Sequence, residues 1–130
     1  MGGRVRVMMT GSAPISAHTM DFLKVAFSAQ IIEGYGQTEA CAFEFATNIH
    51  DGFSGHVGGP IVCNEFKLVD CPDMGYLSNS KDAKGNLEPK GELYVRGPNV
   101  IPGFFKLDDK NKETFTKDGW LKSGDIAVIT

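Results

Sequence analysis

The run Glu33-Gly34-Tyr35-Gly36-Gln37-Thr38-Glu39 gathers an aromatic ring, a hydroxyl and two carboxylates around two glycines. The glycines let the backbone turn sharply and present Tyr35, whose ring can stack on a flat base for about 1–3 kcal/mol, as aromatic rings do on single-stranded bases. Thr38 offers a hydroxyl to a phosphate oxygen. Glu39 offers one hard oxygen to Mg²⁺, a cation that takes one or two carboxylates and completes its shell with phosphates and water. A glycine-rich turn in which Thr38 caps a helix is the other reading. A second run, Gly11-Ser12-Ala13-Pro14, is small enough for a flat ring to lie against its backbone; an ordinary turn with a proline ahead of a helix cap is its alternative. A third is Asp118-Gly119-Trp120-Leu121-Lys122-Ser123-Gly124-Asp125. A carboxylate there can accept two hydrogen bonds from the 2′ and 3′ hydroxyls of a ribose, as the acidic residue of dinucleotide folds does, or can be a β-turn aspartate. Trp120 is read as packing.

These residues must be positioned by elements. Arg4-Val5-Arg6-Val7-Met8-Met9 alternates with period two and reads as a half-buried strand. Ser16 is a helix N-cap, and Met20, Leu23 and Phe27 follow at helical spacing, so 17–28 reads as an amphipathic helix. Gln30-Ile31-Ile32-Glu33 is a second strand. Strand, helix and strand within about thirty residues make a βαβ unit with a parallel pair. The first two runs then both leave the carboxyl ends of strands, where open α/β sheets bind ligands. Beyond this unit, residues 48–60 read as a loop. Residues 65–69, the pair Leu93 and Val95, and residues 126–129 read as strands. Residues 72–88 are polar and turn-rich, and 109–115 reads as a short polar helix whose charge run is a solvated face. The expected fold class is α/β, a βαβ parallel-sheet piece followed by a small, mostly antiparallel β-subdomain. Residues 1–55 carry the first two runs and residues 56–130 the third.

Composition narrows the classes. The chain has 130 residues, 42% hydrophobic, with 13 Lys+Arg against 16 Asp+Glu for a net charge of −3. That is ordinary for a folded domain, and the absence of clustered basic charge argues against nucleic acid as a partner. No apolar run reaches the roughly 18–20 residues of a membrane span. Cys41, Cys63 and Cys71 are odd in number and form no C-x-x-C pair, so neither a disulfide framework nor a zinc site is expected, and reduced buried thiols are. His18, His50 and His56 have no metal spacing and read as surface or structural residues. Arg4 and Arg6 interrupt any signal-peptide pattern, so the cytosolic face is the default. Both ends lie on strands without the polar border of a domain, so the chain is expected to be a segment of a longer protein.

Taken in order, the runs resemble the adenylate-forming superfamily of acyl-CoA synthetases, luciferases and adenylation domains, over essentially the whole chain. Tyr35-Gly36-Gln37-Thr38-Glu39 is similar to the family's Y-G-x-T-E motif. Gly91-Glu92-Leu93-Tyr94-Val95-Arg96-Gly97 with Gly103-Phe104-Phe105, and Gly119-Trp120-Leu121-Lys122-Ser123-Gly124-Asp125, resemble the two that follow it. Gly55-His56-Val57-Gly58-Gly59-Pro60, Cys63-Asn64-Glu65-Phe66-Lys67-Leu68-Val69-Asp70 and Asp73-Met74-Gly75-Tyr76 look most like eukaryotic long-chain fatty acid–CoA ligases. Another acid–CoA ligase of the superfamily, and a stand-alone nucleotide-binding or interaction module, are the alternatives.

The resemblance implies a two-step reaction. A fatty carboxylate attacks the α-phosphate of ATP, giving acyl-AMP and pyrophosphate, and the thiolate of coenzyme A then displaces AMP. Fatty acid, ATP and coenzyme A are the implied partners, with Mg²⁺ as cofactor. Ser12, Ala13, Pro14, Glu33, Gly34, Tyr35 and Gly36 would hold adenine. Thr38 would contact phosphate, Glu39 would bind Mg²⁺, and both are the implied catalytic residues. Asp125 would bind the ribose hydroxyls, and Ala40 and Cys41 would border the acyl tunnel. The family's phosphate loop lies upstream of this segment. Its hinge and lysine-bearing C-terminal domain lie downstream, so the isolated segment is expected to be inactive. The resemblance leaves membrane association of the parent open.

Overall fold

In the computed structural model, which describes residues 2–130, the alternating start of the chain becomes strand β1 (Val7–Thr10). Helix α1 (Ala17–Phe27) starts at Ser16, whose side-chain oxygen accepts the Thr19 N–H at 3.2 Å. It ends where Ser28 turns left-handed (φ 48°) and donates its N–H to the Val25 carbonyl. Strand β2 (Gln30–Tyr35) then pairs in parallel with β1, from Val7 opposite Gln30 to Thr10 opposite Glu33. This is the expected βαβ unit. Only Met20 of α1 is buried, and with Ile31, Ala40 and Phe45 it forms the core here. Val7 and Met9, expected to be half-buried, stand 47% and 62% exposed because no part of this unit covers their face of β1.

Two short strands extend the sheet. Strand β3 (Phe45–Ala46) runs antiparallel to Gly34 and Tyr35, and strand β4 (Gly59–Pro60) runs antiparallel to β3, giving the order β1-β2-β3-β4. The loop between them is braced from α1. Lys24 Nζ donates to Ser54 Oγ at 3.1 Å, and Ser54 Oγ donates to Asp21 at 2.6 Å. His56 is structural: its Nδ1 accepts the Gly58 N–H at 3.0 Å and its Nε2 lies 3.2 Å from Asp51. The pairing of β4 holds residues 59–60 to the first sheet. Two compact units follow, the first ending at Val62 and the second starting at Cys63.

The second unit, Cys63–Thr130, is built on strands β5 (Glu65–Val69), β6 (Lys90–Arg96) and β7 (Leu121–Val128), all antiparallel in that order. Leu93, Val95, Trp120 and Leu121 form its core. The last strand starts at Leu121 rather than at residue 126, since the seven-residue β6 carries its ladder on to Val95 opposite Leu121. Between β5 and β6 an excursion is closed by Asp82. Its carboxylate accepts the N–H groups of Lys84 and Asn86, each at 2.8 Å, and the Asn86 side-chain amide at 2.9 Å. The bonds from Asn86 foremost hold that carboxyl below the ordinary carboxylate range. Helix α2 (Asp108–Thr114) has no buried residue, as expected of a solvated charge run. The three cysteines are free, but Cys41 and Cys63 are exposed and Cys71 is half-buried, so they are not core thiols. Cys41 ends a 3₁₀ turn in the left-handed conformation (φ 54°), outside the core.

Candidate functional site

The carboxyl ends of β1 and β2 open into a cavity of about 500 Å³. That lies within the usual range for small-molecule sites. Its backbone wall is Gly11, Gly34 and Gly36, and close approach explains why these are glycines. A Cβ on Gly11 would stand 3.0 Å from the Gly34 carbonyl oxygen. One on Gly34 would stand 2.8 Å from the Phe43 ring, and one on Gly36 2.5 Å from the Ala42 carbonyl oxygen. Polar atoms come from Thr10, Ser12, Gln37 and Thr38. Apolar contacts come from Met9, Ala42 and Phe43. Ser12 is held at φ 71°, a left-handed backbone that costs a non-glycine residue roughly 1–3 kcal/mol and that clusters at binding sites.

Four of the sequence-derived candidates therefore meet on one cavity: Ser12, Gly34, Gly36 and Thr38. Ala13 and Pro14 do not line it; they lead, exposed, toward α1. Glu33 is 6% exposed, its N–H donates to Thr47 Oγ1 at 2.9 Å, and its Oε2 has no hydrogen-bond partner among the described residues. Tyr35 is half-buried and packs edge-on against Phe45, ring centroids 6.0 Å apart. Glu39 sits half-buried in the 3₁₀ turn Thr38–Ala40. Among the described residues no three His, Cys, Asp or Glu side chains converge as a metal cage. A lone Glu39 carboxylate still fits Mg²⁺, which prefers few protein ligands and a shell filled by phosphate and water.

Met9, Gln37, Ala42 and Phe43 carry no role in the sequence reading, yet they line the cavity. Gln37 lay inside a motif already singled out. Its Nε2 is buried with no hydrogen-bond partner among the described residues. Ala42 and Phe43 border the cavity. The chain is swung there by successive left-handed residues, Cys41 (φ 54°) and Ala42 (φ 71°), and by the Ala42 N–H donating to the Gln37 carbonyl at 2.9 Å. No periodicity announces such a turn.

Asp125 belongs to the second unit and stands exposed on β7. Tyr94 pairs with Lys122 and Glu92 with Ile126; β6 contributes Leu93 between these pairs, while β7 contributes Ser123, Gly124 and Asp125. Such a bulge bends the strand and re-aims a side chain. Gly124 takes φ 76° there. Upstream, Trp120 is 9% exposed, with Lys67 Nζ 4.4 Å and the Arg96 guanidinium carbon 4.5 Å from its ring centroid. This cation–π packing anchors the start of β7. The Thr116 hydroxyl, with Lys67 and Arg96 adding to it, holds the Asp118 carboxyl below the ordinary range.

The AMP-binding enzyme family matches residues 1–105. Human long-chain-fatty-acid–CoA ligase 1 is 47% identical over 126 residues, 97% of this chain and 17% of that protein. Peroxisomal long chain acyl-CoA synthetase 7 of Arabidopsis thaliana is 42% identical over 128 residues, 98% of this chain and 18% of that protein. Among solved structures, the A domain of carboxylic acid reductase from Segniliparus rugosus, in complex with AMP and a co-purified carboxylic acid, superposes with a TM-score of 0.77 at 31% identity. That match covers 99% of this chain and 18% of the other. A malonyl-CoA ligase product complex with methylmalonyl-CoA and AMP gives a TM-score of 0.73 at 28% identity, over 96% of this chain and 25% of the other. The chain thus spans less than a fifth of the length of the curated relatives described here.

Proposed function

Because this chain belongs to the family of AMP-binding enzymes, we propose that it is the nucleotide-binding centre of a long-chain fatty acid–CoA ligase. In that enzyme a fatty acid is activated by ATP to acyl-AMP and then passed to coenzyme A. The observation that carries this reading is the cavity at the carboxyl ends of β1 and β2, with Ser12, Gly34, Gly36 and Thr38 on its wall.

The substrate carboxylate is itself the nucleophile in this reaction, so the protein's task is to position it against the α-phosphate and to meet the charge that develops there. Thr38 donates to a phosphate oxygen. Ser12, Gly34 and Gly36 hold adenine from the cavity wall, with Ala13, Pro14, Glu33 and Tyr35 adjoining them in the chain, and Asp125 accepts the ribose hydroxyls. Glu39 holds Mg²⁺, which neutralises phosphate charge when bound. Ala42 and Phe43 form the apolar wall toward the acyl chain. Three free thiols suit a reducing compartment, so we place the enzyme on the cytosolic face. Among the described residues no helix is long and apolar enough to cross a membrane.

The test is made in the full-length protein that carries this segment, with palmitate as acid. Asp125→Ala lowers kcat/KM for ATP by about 10- to 150-fold, the worth of hydrogen bonds to a charged group. The loss shrinks with 2′,3′-dideoxy-ATP, which has nothing for the carboxylate to hold. Equal penalties for both nucleotides in a well-folded variant would remove the ribose role. The 130-residue chain alone releases no pyrophosphate above background; robust release would overturn the division of labour proposed here.

A further inference from the structure

The bulge in β7 leaves an arithmetic problem. Three residues of β7, Ser123, Gly124 and Asp125, face one residue of β6, Leu93, so the paired register passes over all three. A backbone N–H in such a stretch needs a partner from outside the ladder or from water. For Asp125 that partner is local: its N–H donates to Ser123 Oγ at 3.0 Å. The same hydroxyl faces the Asp125 carbonyl at 3.5 Å. Serine two residues before the amide it caps forms a closed side-chain turn, a substitute for a backbone turn. Gly124, between them, takes φ 76°. A Cβ there would meet no atom within 4 Å, so its glycine answers to backbone angle and not to space. Two devices, a left-handed glycine and a hydroxyl tether, therefore set the direction in which the exposed Asp125 leaves the strand.

We infer that Ser123 is a positioning residue for ribose recognition. Its hydroxyl takes up the Asp125 N–H and so fixes the bulge from which the Asp125 carboxylate reaches the 2′ and 3′ hydroxyls. This rests on the ribose role proposed for Asp125. Ser123 touches no ligand in this scheme, and all its influence passes through its neighbour two residues on. Lys122, beside it, keeps its place in the ladder opposite Tyr94 and has no such part.

The experiment compares kcat/KM for ATP and for 2′,3′-dideoxy-ATP in the full-length enzyme. Ser123→Ala, Ser123→Thr, Asp125→Ala and the Ser123→Ala/Asp125→Ala pair are measured together. Ser123→Ala is expected to lower kcat/KM for ATP by about 3- to 10-fold, the net worth of one hydrogen bond, with the dideoxy analogue changed by less than about twofold. Ser123→Thr, which keeps the hydroxyl, restores the wild-type ratio. In the double variant the serine change adds no further loss, because residues acting as one unit are not additive. The inference is overturned if Ser123→Ala penalises both nucleotides alike or neither, while Asp125→Ala still discriminates between them. If Asp125→Ala itself fails to discriminate, the ribose role falls and the positioning role falls with it. A Ser123→Ala loss undiminished in the Asp125→Ala background would assign the serine a separate effect and also overturn the inference.

Discussion

Gly36 shows how much of a binding site can hang on the absence of a methyl group. A Cβ at this position would lie 2.5 Å from the Ala42 carbonyl oxygen and 2.8 Å from the Phe43 nitrogen, both backbone atoms that cannot swing aside. Gly36→Ala must therefore push residues 42–43 away from β2 and deform the cavity wall. Overpacking of this kind costs about 1–3 kcal/mol. The expected result is a lower urea midpoint for the chain and a loss of AMP affinity in the full-length enzyme. Gly52→Ala is the control, since a Cβ there meets no atom within 4 Å, and should leave both readings unchanged. A Gly36→Ala protein that binds AMP normally would show that the cavity wall is not where the nucleotide sits. At this scale the residue types that could do chemistry are legible in the sequence, because Y-G-x-T-E and the Asp125 run are local patterns. Ala42 and Phe43 are not legible there, since their place depends on two left-handed residues that carry no sequence signature.

Helix α2 illustrates the same division at the level of elements. Seven residues are too few to hold a helix in water by local bonds alone. What secures it is a clamp from its own side chain. Asn111 Oδ1 accepts the Phe104 N–H at 2.6 Å, and Asn111 Nδ2 donates to the Phe104 carbonyl at 3.0 Å. The Phe104 and Phe115 rings pack at 5.9 Å. Gly103 is needed beside the clamp, both for its φ of 147° and because a Cβ would crowd Asn111 at 3.1 Å. Asn111→Ala removes both bonds at once and should lower the stability of the second unit by about 1–3 kcal/mol. In hydrogen exchange, the amides of α2 should lose protection together while β5 and β6 keep theirs. Retained α2 protection in Asn111→Ala would mean that the ring contact alone secures the helix. The helix itself was legible from its charge run. The clamp was not, because Asn111 looks like any other polar residue on a solvated face.

The molecule divides into two units, each with its own sheet and its own short list of buried side chains. The first leaves much apolar surface uncovered: Val25 is 82% exposed, Phe22 63% and Met9 62%. Parallel strands are ordinarily covered on both faces, and exposed apolar patches in a soluble chain promote association. The isolated 130-residue chain should therefore self-associate as its concentration rises, and static light scattering will report it. Phe22→Glu together with Val25→Lys should reduce the scattering without moving the far-ultraviolet circular dichroism, since neither side chain belongs to the core. A chain that stays monomeric with or without these changes would show that the open face of α1 is inert.

What the sequence by itself determined about this protein is local: the Ser16 cap and the helix after it, the βαβ order, the glycine-framed run at the end of β2, and the motifs that resemble adenylate-forming enzymes. Each depends on residues a few positions apart, and such patterns survive being read in one dimension. The tertiary structure alone decided the rest. Two-residue strands β3 and β4 have no period to recognise; they exist because Phe45 and Ala46 find partners on both sides. That pairing keeps residues 59–60 with the first unit, which ends at Val62. Strand β7 absorbed a run rich in serine, glycine and aspartate because β6 offered it a ladder, and the surplus residues became the bulge that carries Asp125. Burial belongs to this second class as well. Val7 and Met9 alternate as a half-buried strand should, but burial is settled by what packs against a face, and nothing in their own unit does.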